Sequence, residues 1–265
     1  MNQLRSELRK VLSTKTWFFL GLGAVFLVLV QTVATFFVAK SGTVAGATGG
    51  NTLIGLEDPA GVQNLYANAG ASQGYMFTLI LGVVAMTSEF RFATIVPTFL
   101  TTPQRPRPVL AKVAALGIIG GAIGLAVVVA VYGTTTILLA TTPHAPVNFA
   151  KLGTTALGAM LAFVLTAVVG VALGALLRNQ IVGIVLAVLW VFILEGVITA
   201  LLTLLWHLDY IAKWLPASAV GSVVSATSAT NSDTLPPWAG ALVLLAYTGI
   251  FLLAAFGITL RRDVA

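Results

Sequence analysis

WFFLGLGAVFLVLVQTVATFFVA, residues Trp17–Ala39, runs for 23 residues without a charged side chain. A helix of that length rises about 35 Å, enough to cross a hydrocarbon core of about 30 Å. A secretory leader has an apolar region of only about 7–15 residues, so the stretch reads as a retained membrane span. Composition extends that reading to the whole chain. Of 265 residues, 8% are charged and 58% hydrophobic, whereas soluble domains carry about 25% charged residues. In lipid a lone apolar segment satisfies its backbone only as a helix. An all-α integral membrane protein is therefore expected.

Upstream of this span, residues 1–16 form a basic amphipathic start. Leu4, Leu8, Val11 and Leu12 share one helical face, and Arg5, Glu7, Arg9 and Lys10 lie elsewhere. An interfacial helix is expected there, with its cations toward the anionic head groups of membrane lipids. Downstream, further spans are expected at 72–88, 113–140, 152–177, 181–205 and 238–260, making six with 17–39. Residues Lys40–Ala71, rich in Gly, Asn, Ser and Thr, read as an external loop with room for short helices. Arg178-Asn179-Gln180 is a tight turn that makes the fourth and fifth spans an antiparallel pair. Trp206, Tyr210 and Trp214 recur every four residues, as aromatic anchors do at a membrane interface.

Six spans place both termini on one side. With the termini inside, the inner segments hold Arg5, Arg9, Lys10, Lys15, Arg91, Arg105, Arg107, Lys112, Arg178, Arg261 and Arg262, and the outer ones Lys40, Lys151 and Lys213. That 11-to-3 asymmetry is a positive-inside pattern. No repeat of about 20–50 residues is visible, so residues 1–265 are expected to be a single transmembrane domain. Gly117, Gly120, Gly121 and Gly124, and the pair Gly170 and Gly174, allow close backbone approach. They serve either packing within the chain or dimerisation.

Between the second and third spans lies EFRFATIVPTFLTTPQRPRPVLAK, Glu89–Lys112. Phe92, Ile95, Val96 and Phe99 fall on one helical face, with Pro97 ending or kinking the segment. Pro103, Pro106 and Pro108 are expected to impose an extended crossing. By charge alone this is a solvated cytoplasmic loop. Its pattern, however, is Glu89-Phe90-Arg91, Thr94, Thr101-Thr102-Pro103 with Arg105, then Ala111-Lys112. That resembles the first cytoplasmic loop of permease subunits of type-2 ATP-binding-cassette transporters. The family often has His-Gly where this chain has Phe92-Ala93. Glu7-Leu8-Arg9-Lys10 followed by Trp17 resembles the family's interfacial elbow helix, and Arg261-Arg262-Asp263 resembles its tail.

The resemblance implies a cytoplasmic coupling helix within residues 90–108, seated in a groove of an ATPase subunit. Glu89, Arg91, Phe92, Thr94, Ile95, Arg105 and Arg107 would carry that coupling. It further implies short re-entrant helices on the outer side within Trp206–Pro237. The implied function is the membrane subunit of an ATP-driven exporter in a bacterial-type plasma (inner) membrane, with both termini cytoplasmic. A second permease copy, as a homodimer, and two ATPase subunits carrying ATP and Mg complete that assembly.

The chain's own chemistry is sparse. It has no Gly-x-x-x-x-Gly-Lys-Ser/Thr motif for nucleotide phosphates. It has no cysteine, and His144 and His207 lie in different loops, so no cofactor or metal site is expected. No nucleophile motif stands out, and no enzymatic activity is expected of the chain by itself. Its basic residues flank spans, which does not suggest nucleic acid.

Glu195 is the one ionisable residue deep in a span. It lies 14 residues from Ile181, about 21 Å along a helix, in the outer half. A lipid-facing acid there costs about 2–3 kcal/mol, so it should face the bundle, a second subunit or a water-filled path. Either Thr199 or backbone at Gly196 satisfies it structurally, or it serves a substrate path or dimer interface. The rival function is a proton-coupled secondary transporter using Glu195. Six spans without repeats and one buried acid speak less for it. A third reading is a non-transporting immunity or sensory component.

Overall fold

A computed structural model of the chain describes residues 2–41, 44–45, 52–53, 55–92, 106–205, 208–224 and 235–259. These are helical apart from connecting turns and one antiparallel pairing of Val44–Ala45 with Thr52–Leu53. Six helical stretches are long and apolar enough to cross a membrane.

Helix α1 is Asn2–Ser13 and α2, the first span, is Thr16–Lys40. The second span is longer than its apolar run suggests. Residues 59–71, expected within an external loop, form helix α3 (Pro59–Ala71), which leads through a break at Ser72–Gly74 into α4 (Tyr75–Arg91). The start of α3 is locally encoded. Asp58 accepts the Ala60 N–H at 2.8 Å, and Pro59 occupies the first helical position. Val62, Leu65, Tyr66 and Ala69 are buried. Gln63, which makes the segment look polar, donates to the Thr155 hydroxyl at 2.7 Å.

Helix α5, the third span, begins at Pro106 and ends at Leu139. The extended crossing expected at Pro106 and Pro108 is replaced by the first helical turn. Proline is tolerated there because the first N–H groups have no intrahelical acceptor to lose.

Helix α6, the fourth span, is Phe149–Leu177. It ends at Arg178 in the left-handed conformation (φ 54°). Asn179 then caps the next helix, accepting from the N–H groups of Ile181 and Val182. The tight turn is thus as the sequence suggests. The fifth span is built from α7 (Gln180–Leu189), a π turn (Trp190–Leu194), α8 (Glu195–Ala200) and a second π turn (Leu201–Leu205). Two short helices follow, α9 (Asp209–Ala212) and α10 (Pro216–Val224). The sixth span is α11 (Pro237–Ala254) with a closing π turn (Ala255–Thr259).

Helix α6 is the hub, packed against α3, α4, α5, α10 and α11. The closest crossing is with α4. A Cβ on Gly170 would collide with the Leu79 carbonyl, and one on Gly82 with the Ala167 carbonyl. A Cβ on Gly120 of α5 would likewise meet the Phe163 carbonyl, at 2.7 Å. These glycines are used inside the chain, bringing backbones into direct contact where dispersion rather than hydrophobic expulsion must hold helices together. The second and fourth spans are 72% buried, the fifth only 17%. The fifth span therefore keeps a broad apolar face outward.

Candidate functional site

Two polar centres lie toward opposite ends of the second span. The first joins three helices. Lys112 of α5 contacts Glu7 of α1 at 2.5 Å and Glu89 of α4 at 2.9 Å. Lys10 of α1 contacts Glu7 at 2.5 Å and Glu89 at 3.3 Å. Glu7, Glu89 and Lys112 are buried, while the Lys10 side chain keeps 49% of its exposure. Two acids and two bases cancel, which is what permits such burial. Burial pushes the Glu7 carboxyl up, but the Lys112 charge and hydrogen bonds from Lys10 and Lys112 outweigh it and leave the carboxyl below its ordinary value. Burial likewise pushes Lys10 down, and its bond to Glu7 with the Glu89 charge more than reverses this, raising it.

The sequence-based coupling residues separate in this light. Glu89 turns inward to the ion cluster. Arg91 and Phe92 are exposed at the end of α4, where Arg91 reaches the Gln180 side chain at 3.3 Å and lies over the Phe92 ring. Arg107 is exposed in the first turn of α5. Thr94, Ile95 and Arg105, with most of the expected coupling helix, lie outside the described residues. Sequence reasoning missed the roles of Glu7, Lys10 and Lys112 as one unit. The available signal was that each sits beside an apolar face with an opposite charge at another span boundary.

The second centre is Glu195, which is buried. One carboxylate oxygen accepts the backbone N–H groups of Ala217, at 2.5 Å, and Ser218, at 3.2 Å; the other accepts the Trp190 indole N–H at 3.0 Å. The satisfying groups are thus neither Thr199 nor Gly196. The π turn helps. The Glu195 N–H donates to the Trp190 carbonyl five residues back, a widened turn that holds the two side chains together. The main contact is with α10, whose first turn has Pro216 and no capping side chain from Leu215. Glu195 supplies the missing acceptor from across the bundle, next to the positive end of that helix.

No family model matches the chain, and no curated protein matches it. Among the described residues there is no cluster of three potential metal ligands.

Proposed function

We propose that the chain is the membrane-spanning subunit of an ATP-driven exporter of the type-2 ATP-binding-cassette class. The observation that carries the reading is the ion cluster's position. The stretch Glu89–Lys112, which resembles a coupling loop, begins near the end of α4 and finishes within the first turns of α5, so its own end residues belong to the cluster. Its two flanks are pinned to each other and to α1 through Glu7 and Lys10. A push on that segment is delivered to two spans and the amphipathic helix together, rather than absorbed by a loose loop.

ATP and Mg bind two partner ATPase subunits in this reading, since the chain lacks a phosphate-binding loop. A second copy of the chain lies against the outward apolar face, with the fifth span the least covered from within. The proton-carrier alternative fares worse. Glu195 is committed to three fixed N–H donors as the cap of α10, and releasing them in each cycle would undo that helix start.

The test is purification from native membranes followed by reconstitution in liposomes. An ATPase is expected to co-purify, and transport should require it and ATP. Full transport by the isolated chain, driven by a proton gradient, would overturn the proposal. Orientation is tested separately. Because the chain has no cysteine, single cysteines at Ser41 and Ser232 should react with an impermeant thiol reagent from outside, and one at Gln104 only after the membrane is opened. External labelling at Gln104 would remove the coupling assignment as well.

A further inference from the structure

Where α1 meets the first and third spans, a groove of about 590 Å³ opens toward lipid. Residue size makes it. Gly21 of the first span and Ala122 and Ala126 of α5 leave the space, and the exposed Leu22 and Ile118 flank it. From Trp17 to Val25, and from Ile118 to Ala126, the groove runs eight positions along each helix, about 12 Å. That is most of one leaflet's depth, half of a hydrocarbon core of about 30 Å. Leu8 and Leu12 of α1 line it too. Helix α1 sits at the Trp17–Ile118 end, joined to the first span by the chain and to α5 by the Glu7–Lys112 pair. Arg5 and Arg9 stand three residues before Leu8 and Leu12, so they form a cationic ridge beside the leucine ridge that lines the groove. Both arginines are exposed, and neither side chain joins an ion pair or hydrogen bond of the described residues. Lys10, by contrast, is held by Glu7 and Glu89.

We propose that the groove holds one acyl chain of an anionic diacyl phospholipid whose phosphate is bound by Arg5 and Arg9. The groove alone selects nothing, because acyl chains are as apolar as its walls. It fixes where one chain lies, and that brings the headgroup to the arginines. Guanidinium groups take phosphate oxygens in paired hydrogen bonds, a geometry that an ammonium lacks. A zwitterionic headgroup carries its own cation beside the phosphate and is repelled by the arginine pair, so net negative charge is the property selected. An amphipathic helix on a charged surface samples many lipids; a groove one chain wide holds one. The second copy assigned above does not compete for it. Among the described residues none of the fifth span lines the groove, and that span packs on the second and fourth. The lipid site does not depend on the export reading.

Trp17, which lines the groove and donates its indole N–H to the Leu12 carbonyl at 3.3 Å, supplies the readout. Phosphatidylglycerol with brominated acyl chains is titrated into the full-length protein in detergent, without any ATPase. Quenching present in wild type and absent from Trp17→Phe reports the groove. Saturable quenching that unbrominated phosphatidylglycerol reverses is expected, with phosphatidylcholine of the same chains binding about tenfold more weakly. Arg5→Gln combined with Arg9→Gln should weaken phosphatidylglycerol about tenfold and leave phosphatidylcholine unchanged. Ala122→Phe, which fills the groove from an exposed position, should weaken both lipids by at least about fivefold. Inorganic phosphate should not reverse the quenching. Quenching that rises without saturation, or equal affinity for the two lipids in wild type, overturns the site. An undiminished preference for phosphatidylglycerol in the double arginine variant overturns the headgroup contact. Unchanged binding in Ala122→Phe, or reversal by inorganic phosphate, overturns the chain contact. The arginine variant alters only two exposed, unpaired side chains, so it keeps the test decisive if Ala122→Phe fails to fold. Because no ATPase is present, failure here leaves the export reading untouched.

Discussion

Lys112→Met is expected to destabilise the folded chain by about 3–5 kcal/mol, the usual result of removing one member of a buried ion pair. Lys112 is 3% exposed and is the only group of the cluster that touches both acids from within the bundle. Its loss leaves Glu7 and Glu89 buried near each other with Lys10 alone to balance them. Lys10→Met is expected to cost far less, about 1 kcal/mol or under, because half of that side chain stays in water. Adding Glu7→Gln to Lys112→Met should recover part of the loss, since it leaves Glu89 alone opposite Lys10 and so removes the one uncompensated charge; a coupling of about 0.5–3 kcal/mol is expected between the sites. Thermal unfolding of these proteins and of the Glu7→Gln single variant, in one detergent, measures this. Equal midpoints for Lys112→Met and wild type would show that the cluster does not hold α1 to the spans.

The same cluster makes the docking of α1 sensitive to pH at both extremes. The folded Glu7 carboxyl lies below its ordinary value of 4.5, so its stabilisation is complete above about pH 4.5 and is lost as pH falls through the lower folded value. Folded Lys10 lies above 10.5, so its contribution is complete below about pH 10.5 and is lost as pH rises through the higher folded value. Between these limits neither group weakens the joint.

The spans were legible because long windows free of charge have one stable form in lipid. The turn at Arg178 was legible too, because two apolar runs with only three polar residues between them must fold back. Helix α3 fills the room left for short helices in the expected loop, but its burial was hidden by Gln63, Asn64 and Asn68, whose polarity masked a buried face; Gln63 finds its acceptor at Thr155, 92 positions away. The early start of α5 was hidden by its prolines, which mark a helix beginning as readily as a helix end. Glu195 could be placed facing inward from insertion cost alone. Its contacts with Ala217 and Ser218 could not, because they lie 22 and 23 residues along the chain. A weaker clue was present: Pro216 preceded by Leu215 offers a helix start with no local cap, and an uncapped start in lipid must borrow an acceptor. The ion cluster defeats sequence reading for the same reason, joining Lys112 to a residue 105 positions earlier.

Glu195→Ala is expected to cost on the order of 4 kcal/mol, because three N–H donors lose their acceptor where water is scarce. The figure sits below three full penalties, as Ala217 and Ser218 share one turn and relax together. Glu195→Gln separates the cap from the charge. Its amide oxygen can still accept from Ala217 and Ser218, but its NH₂ group then faces the Trp190 indole N–H, donor against donor. Glu195→Gln should therefore cost about 2 kcal/mol, and adding Trp190→Phe, which removes the opposing donor, should recover about 1 kcal/mol of it. Hydrogen exchange supplies the local readout. Amides in Pro216–Val224 should lose protection in Glu195→Ala and keep most of it in the Glu195→Gln, Trp190→Phe protein, while those in α6 stay protected in both. The order of stability that follows is wild type, then the double variant, then Glu195→Gln, then Glu195→Ala. If Trp190→Phe instead worsens Glu195→Gln, the indole contributes packing rather than a polar clash. If α10 exchanges no faster in Glu195→Ala than in wild type, Glu195 is not its cap.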